Sequence, residues 1–306
     1  MIKQWKVQHQ ERLDSFLRRE IPLVVEKEIS NGKIRRLILA GCVSVNSKQC
    51  RIPAYNLKVG STVSADIQEE KLFFEKSADD IDFTLTQKDV LFEDEYIIVV
   101  NKPAYLPTED TFVKERKSMH SCVVEYLWNK NRSLRNPPYV GIMHRLDKET
   151  SGVLLFTKKR EANKSLSEQF SQHTINKIYR AVCEVKIKPQ QEEFTVENFL
   201  TRISAKSSAC KMGITKDETK GQHAKTKFKI VKEDGKKVFV ECILFTGRTH
   251  QIRVHLSSKG LPICGDELYG STVKGRIMLH AHTLEFTHPV SGERMKIESP
   301  LSAQFL

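Results

Sequence analysis

A short polar segment in the middle of the chain carries the residues best suited to chemistry. His144, Arg145 and Asp147 lie in HRLDKETSG, between the apolar stretches YVGIM and VLLF. A carboxylate between two strands is held on rigid supports, as a catalytic group must be. When ionised, it can act as a nucleophile or stabilise a developing cation. Asp147 is therefore the first candidate for a catalytic residue, although an aspartate in a loop also serves to cap turns.

A second segment supplies basic side chains that could act with this carboxylate. His250 and Arg253 are three residues apart in GRTHQIRVHL, where a helix is predicted at 249–259, so they share one helix face. An arginine on that face could reach a carboxylate across a cleft, favour its ionised form and fix its orientation. By residue type alone, Arg253 suits an exposed helix surface better.

The cysteines and histidines do not form a metal-binding pattern. The seven cysteines contain no CxxC pair, and no Cys/His group has the spacing of a zinc site. Scattered cysteines are typical of a reducing compartment, where they serve as small buried hydrophobic residues. We therefore expect no metal site.

The segments around these residues predict a mixed α+β domain. Strands are expected where apolar residues alternate or form short buried runs, and helices where they recur one turn apart. Strands are predicted at 97–100, 139–144, 152–157 and 177–186, and helices at 116–129, 160–172 and 249–259. Asp234-Gly235 predicts a type I′ turn within TKFKIVKEDGKKVFVECILF. Because strands outnumber helices and hairpins join several of them, we expect a mainly antiparallel sheet.

A smaller module is predicted at the N-terminus. Apolar residues one turn apart predict a helix over 11–20, which Pro22 should stop. A second helix is predicted over 31–41, with Ser30 or Asn31 as its cap. Short strands should then complete a compact unit.

Composition divides the chain into two domains and a linker. The acidic stretch EEKLFFEKSADDIDF separates the N-terminal module from LFEDEYIIVVNKP, where a new buried strand opens. We therefore predict one domain at 10–70, a linker at 71–87 and a larger domain at 88–306.

The charge of the chain favours a polyanionic partner. The net charge is +12, and two basic blocks flank residues 71–110, which carry a net charge of −6. Release of counterions from phosphates drives such proteins onto nucleic acid, although a basic solvated surface explains the charge as well. No apolar run reaches the roughly 18 residues of a membrane span, and MIKQWKVQHQERLDSF lacks the apolar stretch of a signal peptide. We therefore expect a cytoplasmic protein without a membrane partner.

The central motif resembles the HRLDxxTSG signature of the RluA family of pseudouridine synthases. HRLDKETSG matches every fixed position, with Lys148 and Glu149 at the two variable ones. LFEDEYIIVVNKP, KIYRA, HAKTKF, GRTHQIRVHL and RIMLHAHTLEFTHP resemble further segments of the family in the same order. The resemblance covers roughly residues 88–300 and implies a pseudouridine synthase catalytic domain.

The resemblance implies a role for each matching residue. Asp147 corresponds to the catalytic aspartate, and Arg253 to the basic residue that pairs with it. Tyr179 corresponds to the tyrosine that stacks on the target base, although its alternating strand also suits a core residue. Arg145 corresponds to the arginine that helps to replace the flipped base in the duplex.

The implied reaction breaks the glycosidic bond of uridine, rotates uracil and rejoins it through carbon 5. The base must leave its stack to react, and an aromatic face can support it outside the stack. Because no redox change or activated water is involved, we expect no metal or organic cofactor. Ile277 or Leu279 is expected to form an apolar wall of the base pocket. His144 is placed with the substrate-binding residues, although a structural role suits it better.

The N-terminal module resembles the small alpha-L RNA-binding domain of a small-subunit ribosomal protein. RLDSFL, KIRRLILAG and VSVN carry this resemblance. It implies that Arg12, Lys33, Arg35 and Arg36 face RNA phosphates, unless they form a solvated helix face.

Two positions depart from the family pattern. Tyr105, in KPAYLP, occupies a position where the family usually has glycine, which bears on the shape of that loop. Glu184 replaces a frequent glycine after KIYRA. Neither is a proposed catalytic residue.

These observations predict a monomeric enzyme that modifies RNA. Large-subunit ribosomal RNA is the first expected substrate, because family members with this N-terminal module usually modify it, and transfer RNA is the second. A different class is an RNA-binding ribosome assembly factor whose fold persists without catalysis. The joint presence of Asp147, Arg145, Tyr179 and Arg253 favours the enzyme.

Overall fold

The chain divides into two compact units. This computed structural model describes residues 1–67, 81–110, 117–204 and 210–305. The first unit contains residues 1–67, and the second contains the remaining described residues. Residues 71–80 of the predicted linker lie outside the described part of the chain. None of the described helices is long and apolar enough to cross a membrane.

The first unit packs two helices against short antiparallel strands. Its helices are α1 (Leu13–Val25) and α2 (Asn31–Leu39). Its strands are β1 (Ile2–Lys6), β2 (Glu11–Arg12), β3 (Val43–Val45), β4 (Lys48–Gln49), β5 (Asn56–Leu57) and β6 (Thr62–Asp66). The sheet order is β1-β6-β3-β4, and β2 pairs with β5. The apolar faces of both helices enclose one core, which includes Leu13, Leu17 and Ile38.

The first helix does not end where it was predicted to end. Pro22 lies inside α1, which continues to Val25, so the prediction that Pro22 stops the helix is wrong. A proline inside a helix costs about 3 kcal/mol. Ile21 and Val25 are both buried in the core, and burying two such side chains contributes about as much or more. Packing therefore carries the helix past the proline.

The second unit is built on one large sheet. Its strands are β7 (Val90–Glu93), β8 (Ile97–Lys102), β9 (Gly141–Ile142), β10 (Ser151–Thr157), β11 (Asn176–Glu184), β12 (Glu193–Arg202), β13 (Met212–Thr215), β14 (Gln222–Asp234), β15 (Lys237–Leu244), β16 (Leu279–Thr287) and β17 (Arg294–Glu298). The main order is β13-β12-β14-β15-β11-β16-β10-β8-β7, with β9 beside β10 and β17 beside β16. Within the described residues, β10 and β16 pair in parallel and the other strand pairs are antiparallel. The predicted mainly antiparallel sheet is thus confirmed.

Three helices accompany this sheet, close to their predicted positions. They are α3 (Met119–Lys130), α4 (Glu161–Ser171) and α5 (Gln251–Ser258). The strand predicted at 139–144 is largely wrong, because only Gly141–Ile142 pairs with β10. Pro137 and Pro138 precede it and have no amide donor to offer a sheet. The residues after β9 form a loop that carries Asp147.

The predicted hairpin is present, but its turn differs from the prediction. Asp234 pairs with Lys237, so the two loop residues of the β14–β15 hairpin are Gly235 and Lys236. A type I′ turn needs positive φ at both loop residues. Only Gly235 has it, with φ at 59°, so the turn is not type I′.

Gly152 allows two strands to meet beside the loop that carries Asp147. β10 begins at Ser151 and runs parallel to β16. The φ angle of Gly152 is 115°, and a Cβ atom there would lie 2.1 Å from the carbonyl oxygen of Ala281. Any larger residue would therefore push β10 away from β16. The glycine of HRLDKETSG thus allows β10 to pair with β16. The paired strands in turn hold the loop that carries Asp147.

Candidate active site

The loop between β9 and β10 places Asp147 beside a large cavity. The cavity has a volume of about 830 Å³ and adjoins a smaller one of about 70 Å³. Arg145, Asp147 and Tyr179 line both. The larger volume lies within the roughly 300–1,000 Å³ typical of sites that enclose small organic molecules. Among the described residues, no group of His, Cys, Asp or Glu is arranged to hold a metal ion.

The Asp147 carboxylate faces two side chains at the start of α5. Its Oδ2 lies 3.7 Å from Nη1 of Arg253 and 3.9 Å from Nε2 of His250. The turn after Asp147 is closed by its main-chain carbonyl, which accepts a hydrogen bond from the Thr150 amide. The carboxylate is therefore not used to close the turn, and it is 27% exposed at the cavity.

Arg253 has a closer partner than Asp147. Its Nε and Nη2 donate to Oδ2 and Oδ1 of Asp266 at 2.6 and 2.9 Å, and both side chains are buried. Burial alone would lower the pKa of Arg253, but Asp266 outweighs burial and the pKa is raised. The expected pair between Arg253 and Asp147 is present, but its contact is longer than the hydrogen bonds to Asp266. Asp266 anchors the guanidinium so that its third nitrogen, Nη1, faces Asp147.

His250 extends this network to a tyrosine. Its Nδ1 lies 2.9 Å from the Tyr269 hydroxyl, which accepts a hydrogen bond from the Met212 amide. The hydroxyl proton is then available for Nδ1, which places the proton of a neutral imidazole on Nε2, the nitrogen nearer Asp147. Burial lowers the pKa of His250, which favours that neutral ring. His250 can therefore offer Asp147 a hydrogen-bond donor without adding a charge.

Tyr179 and one of the two predicted apolar residues line the cavities. The Tyr179 side chain is part of the main core, and burial raises the pKa of its hydroxyl. That hydroxyl makes no hydrogen bond to any residue in the described ranges. Leu279 lines the smaller cavity, whereas Ile277 is buried in the core and lines neither cavity. Of the two, only Leu279 lies where a base-pocket wall was expected.

Arg145 is accessible at the mouth of the site. Its Nη1 donates to Oε1 of Glu109 at 2.6 Å, and the Arg145 side chain is 64% exposed. Exposed ion pairs of this kind contribute about 0–1 kcal/mol. Arg145 can therefore exchange Glu109 for another anionic group at a small energetic cost.

His144 holds the loop that carries Asp147 against its neighbours. Its Nε2 accepts a hydrogen bond from the Leu155 amide at 3.0 Å, and its ring stacks on Phe170 at 5.0 Å. Burial lowers the pKa of His144 to about 3, so the ring is neutral at physiological pH. Although His144 also lines the large cavity, these contacts favour the structural role.

A buried lysine lies behind the loop. Nζ of Lys102 donates to the carbonyl oxygens of Pro103, Leu106 and Lys148, which uses all three of its donors. Burial lowers the pKa of Lys102 to about 7. Lys102 thereby ties the loop after β8 to the residue that follows Asp147.

The two departures from the family pattern have visible consequences. Tyr105 has a φ of 68°, in the left-handed region that glycine enters without strain. The Glu184 carboxylate accepts hydrogen bonds from the Thr272 hydroxyl and amide. The first departure places a tyrosine in a glycine-like conformation, and the second adds a link between β11 and the segment before β16.

The predicted RNA-binding residues of the first unit lie on or beside its helices. Arg12 is exposed and bound to Asp14 by two hydrogen bonds of 3.0 and 2.7 Å. Arg35 and Arg36 are exposed on α2, and Lys33 is half-buried.

Several residues of the site were not predicted from the sequence. They are Lys102, Lys177, Arg248, Asp266 and Tyr269. Lys102 could have been predicted, because a lysine at the end of the buried run IIVVNK needs hydrogen-bond partners inside the protein. Asp266 could not have been predicted, because its partner, Arg253, lies 13 residues away in another element.

Comparisons with known proteins find relatives of this chain. A family model described as RNA pseudouridylate synthase matches residues 96–258. Ribosomal large subunit pseudouridine synthase C of Salmonella typhimurium is 34% identical over 311 residues, which cover 95% of this chain and 89% of that protein. Ribosomal large subunit pseudouridine synthase D of Zymomonas mobilis is 32% identical over 286 residues, which cover 89% and 86%.

A solved structure shares the fold. Human RNA Pseudouridylate Synthase Domain Containing 4 superimposes with a TM-score of 0.58 at 22% identity, over 71% of this chain and 90% of that chain. At this identity, the likeness shows a shared fold and nothing more. The family model and the relatives above match the amino-acid sequence itself. The chain therefore belongs to the RNA pseudouridylate synthase family, the enzymes that isomerise uridine to pseudouridine in RNA.

Proposed function

We propose that this protein isomerises uridines in large-subunit ribosomal RNA, with Asp147 as its catalytic carboxylate. The observation that carries the proposal is the placement of Asp147 beside a large cavity, where Arg253 and His250 approach the same carboxylate oxygen. The ribosomal substrate is supported by the names of the relatives, which are synthases of the ribosomal large subunit. Transfer RNA is the second candidate substrate.

The cavity suits a uridine that has left its helix. A base must be extruded before chemistry at its glycosidic bond, and an aromatic side chain such as Tyr179 can support it. Leu279 and Leu244 supply apolar surface at the smaller cavity. Arg145 is exposed beside Asp147, where it can occupy the space that the base leaves in the RNA.

Asp147 acts as the anionic group of the reaction. The bond between N1 of uracil and C1′ of ribose breaks, and a bond between C5 and C1′ forms. C5 then loses its proton and N1 gains one, so the product has the same atoms as the substrate. An ionised Asp147 can attack the nucleoside or stabilise the cation that bond breaking leaves. The fixed positive charge of Arg253 attracts the carboxylate and orients it.

The first unit is proposed to be an RNA-binding module of the alpha-L type. Two helices on a small sheet expose Arg35 and Arg36 on α2. Such side chains bind phosphates without reading sequence, and they position the catalytic unit on its RNA.

The test is an Asp147→Asn variant, which is nearly isosteric and removes only the charge. We expect pseudouridine formation in unmodified large-subunit ribosomal RNA to fall by about 1,000-fold or more. RNA affinity should stay near that of the wild type, because phosphate contacts from Lys and Arg dominate binding. Release of tritium from RNA labelled at C5 of uridine and a filter-binding titration at fixed salt measure the two quantities.

Asp217→Asn is the matched control, because Asp217 lines neither cavity and pairs with Lys220 at the surface. Unchanged turnover in the Asp147→Asn variant would remove Asp147 from the chemistry. If the wild type is active on transfer RNA but not on ribosomal RNA, transfer RNA becomes the proposed substrate. The assignment of Asp147 is then unchanged.

A further inference from the structure

The large cavity extends beyond the residues that the reaction needs. Besides Asp147 and Tyr179, its lining includes Lys177, Arg248 and His173. With a volume of about 830 Å³, it lies near the upper end of the range for small-molecule sites. The cavity therefore has space for RNA beyond a single flipped base.

Lys177 occupies a defined position relative to the candidate base site. It precedes Tyr179 by two residues on β11, so both side chains are on the same face of the strand, about 7 Å apart at their Cα atoms. Gly247 faces the end of Lys177, and a Cβ atom at Gly247 would lie 3.4 Å from Nζ. The absence of a side chain at Gly247 leaves the ammonium accessible from the cavity.

The positive charges of this region are not neutralised within the protein. Lys177 is half-buried, and its ammonium has no hydrogen bond or ion pair with any described residue. Nε of Arg248 donates to the His223 carbonyl at 3.0 Å, and the rest of its guanidinium has no acidic partner in the described ranges. Lys177 and Arg248 line the same cavity, and burial and the neighbouring charge of Arg248 both lower the pKa of Lys177.

The acidic residues of the cavity do not offset these charges. Its acidic lining residues are Glu109, which pairs with Arg145, and Asp147, which faces Arg253 and His250. A partly desolvated cation without a counterion is unfavourable by itself and becomes favourable when an anion binds. The region is thus built to receive a negative charge.

We propose that Lys177 and Arg248 bind an RNA phosphodiester that adjoins the flipped uridine. The proposal rests on the proposed function, because RNA supplies the anion. A phosphate at this position fixes the nucleotide relative to Tyr179 and Asp147 before the glycosidic bond breaks. His173 also lines this part of the cavity, where burial and the charges of Lys177 and Arg248 lower its pKa and favour the neutral ring.

The first test is Lys177→Gln, with Lys236→Gln as the matched control. Lys236 is exposed in the β14–β15 turn, at the opposite end of the sheet from Lys177, since Lys177 pairs with Leu244 and Glu184 pairs with Lys237. We expect Lys177→Gln to raise KM for unmodified large-subunit ribosomal RNA by roughly tenfold to a hundredfold, as for loss of a charge-assisted hydrogen bond. The change in kcat should be much smaller, because the phosphate is held equally in the ground state and the transition state. Lys177→Arg should restore most of the loss.

The second test changes the RNA instead of the protein. A methylphosphonate removes the charge of one phosphodiester, and it is placed on either side of the modified uridine in an RNA oligonucleotide. At one of the two positions, the methylphosphonate should weaken RNA binding by the wild type. The factor should be about the same as the loss that Lys177→Gln causes with unmodified phosphates. Lys177→Gln should lose little more at that position, whereas Lys236→Gln should behave like the wild type.

The outcomes separate this proposal from the proposed function. A wild-type protein that forms no pseudouridine in either ribosomal or transfer RNA overturns the proposed function, and this proposal falls with it. An active wild type overturns the phosphate site alone if Lys177→Gln matches Lys236→Gln. The same conclusion follows if both methylphosphonates weaken Lys177→Gln as much as they weaken the wild type.

Discussion

The ring of Tyr179 and its hydroxyl can be tested separately. The ring is largely buried, and the hydroxyl has no hydrogen-bond partner in the described part of the chain. Tyr179→Phe keeps the aromatic face, so its RNA affinity should equal that of the wild type. Tyr179→Ala removes the face, and its RNA affinity should fall by about 1–3 kcal/mol, the usual contribution of stacking on one base. Filter binding at fixed salt measures both variants.

A control is needed because Tyr179 also belongs to the core. Removing a large buried side chain destabilises a fold by several kcal/mol, so urea unfolding of each variant shows the concentration range in which it is folded. Equal affinity in folded Tyr179→Ala and the wild type would exclude stacking on Tyr179.

At the scale of elements, the connection from α5 to the turn at Glu267–Tyr269 sets the position of Arg253. α5 begins after His250, whose φ is 55°, and the short helix at Glu267–Tyr269 begins after Asp266. The bidentate pair between Arg253 and Asp266 joins these two elements in the interior. A distortion of this connection would therefore move the charge that faces Asp147.

Asp266→Asn tests this link. The substitution leaves Arg253 as a buried charge without its bidentate carboxylate, which costs about 3–5 kcal/mol of unfolding free energy. Asp217→Asn removes a surface pair with Lys220 and should cost much less, because solvent screens that pair. Urea unfolding with a common m-value compares the two. Equal losses in both variants would mean that the buried pair does not hold α5 in place.

At the scale of the whole molecule, each unit has its own hydrophobic core. The core of the first unit is drawn from residues 7–67, and the main core of the second from residues 85–281. A unit with its own core can fold by itself. The first unit also carries part of the positive charge, since residues 1–70 contribute +4 of the net +12.

Removal of residues 1–70 should therefore leave a folded catalytic unit with weaker RNA binding. The affinity should also depend less steeply on salt, because fewer phosphates are neutralised. Circular dichroism with thermal unfolding and salt-dependent filter binding measure these effects. A truncated protein that fails to unfold cooperatively would place the domain boundary elsewhere.

The sequence by itself determined those features that depend on neighbouring residues. Asp147 was identified because its motif is contiguous, and α3, α4 and α5 because apolar residues recur at helical spacing. Hairpin residues and alternating strands also predicted the antiparallel sheet. These signals are local, since backbone conformation and the face of an element depend on residues a few positions apart.

Only the tertiary structure decided which charged groups meet. Asp266 is the close partner of Arg253, and the ammonium of Lys102 donates to the main-chain carbonyl oxygen of Lys148, 46 residues further along the chain. The extension of α1 through Pro22 likewise depends on the core that surrounds it. Such contacts join segments that are far apart in sequence. Burial strengthens the electrostatic interactions of the charged groups in them. No periodicity along the chain encodes them, because their energies arise only when folding removes these groups from water.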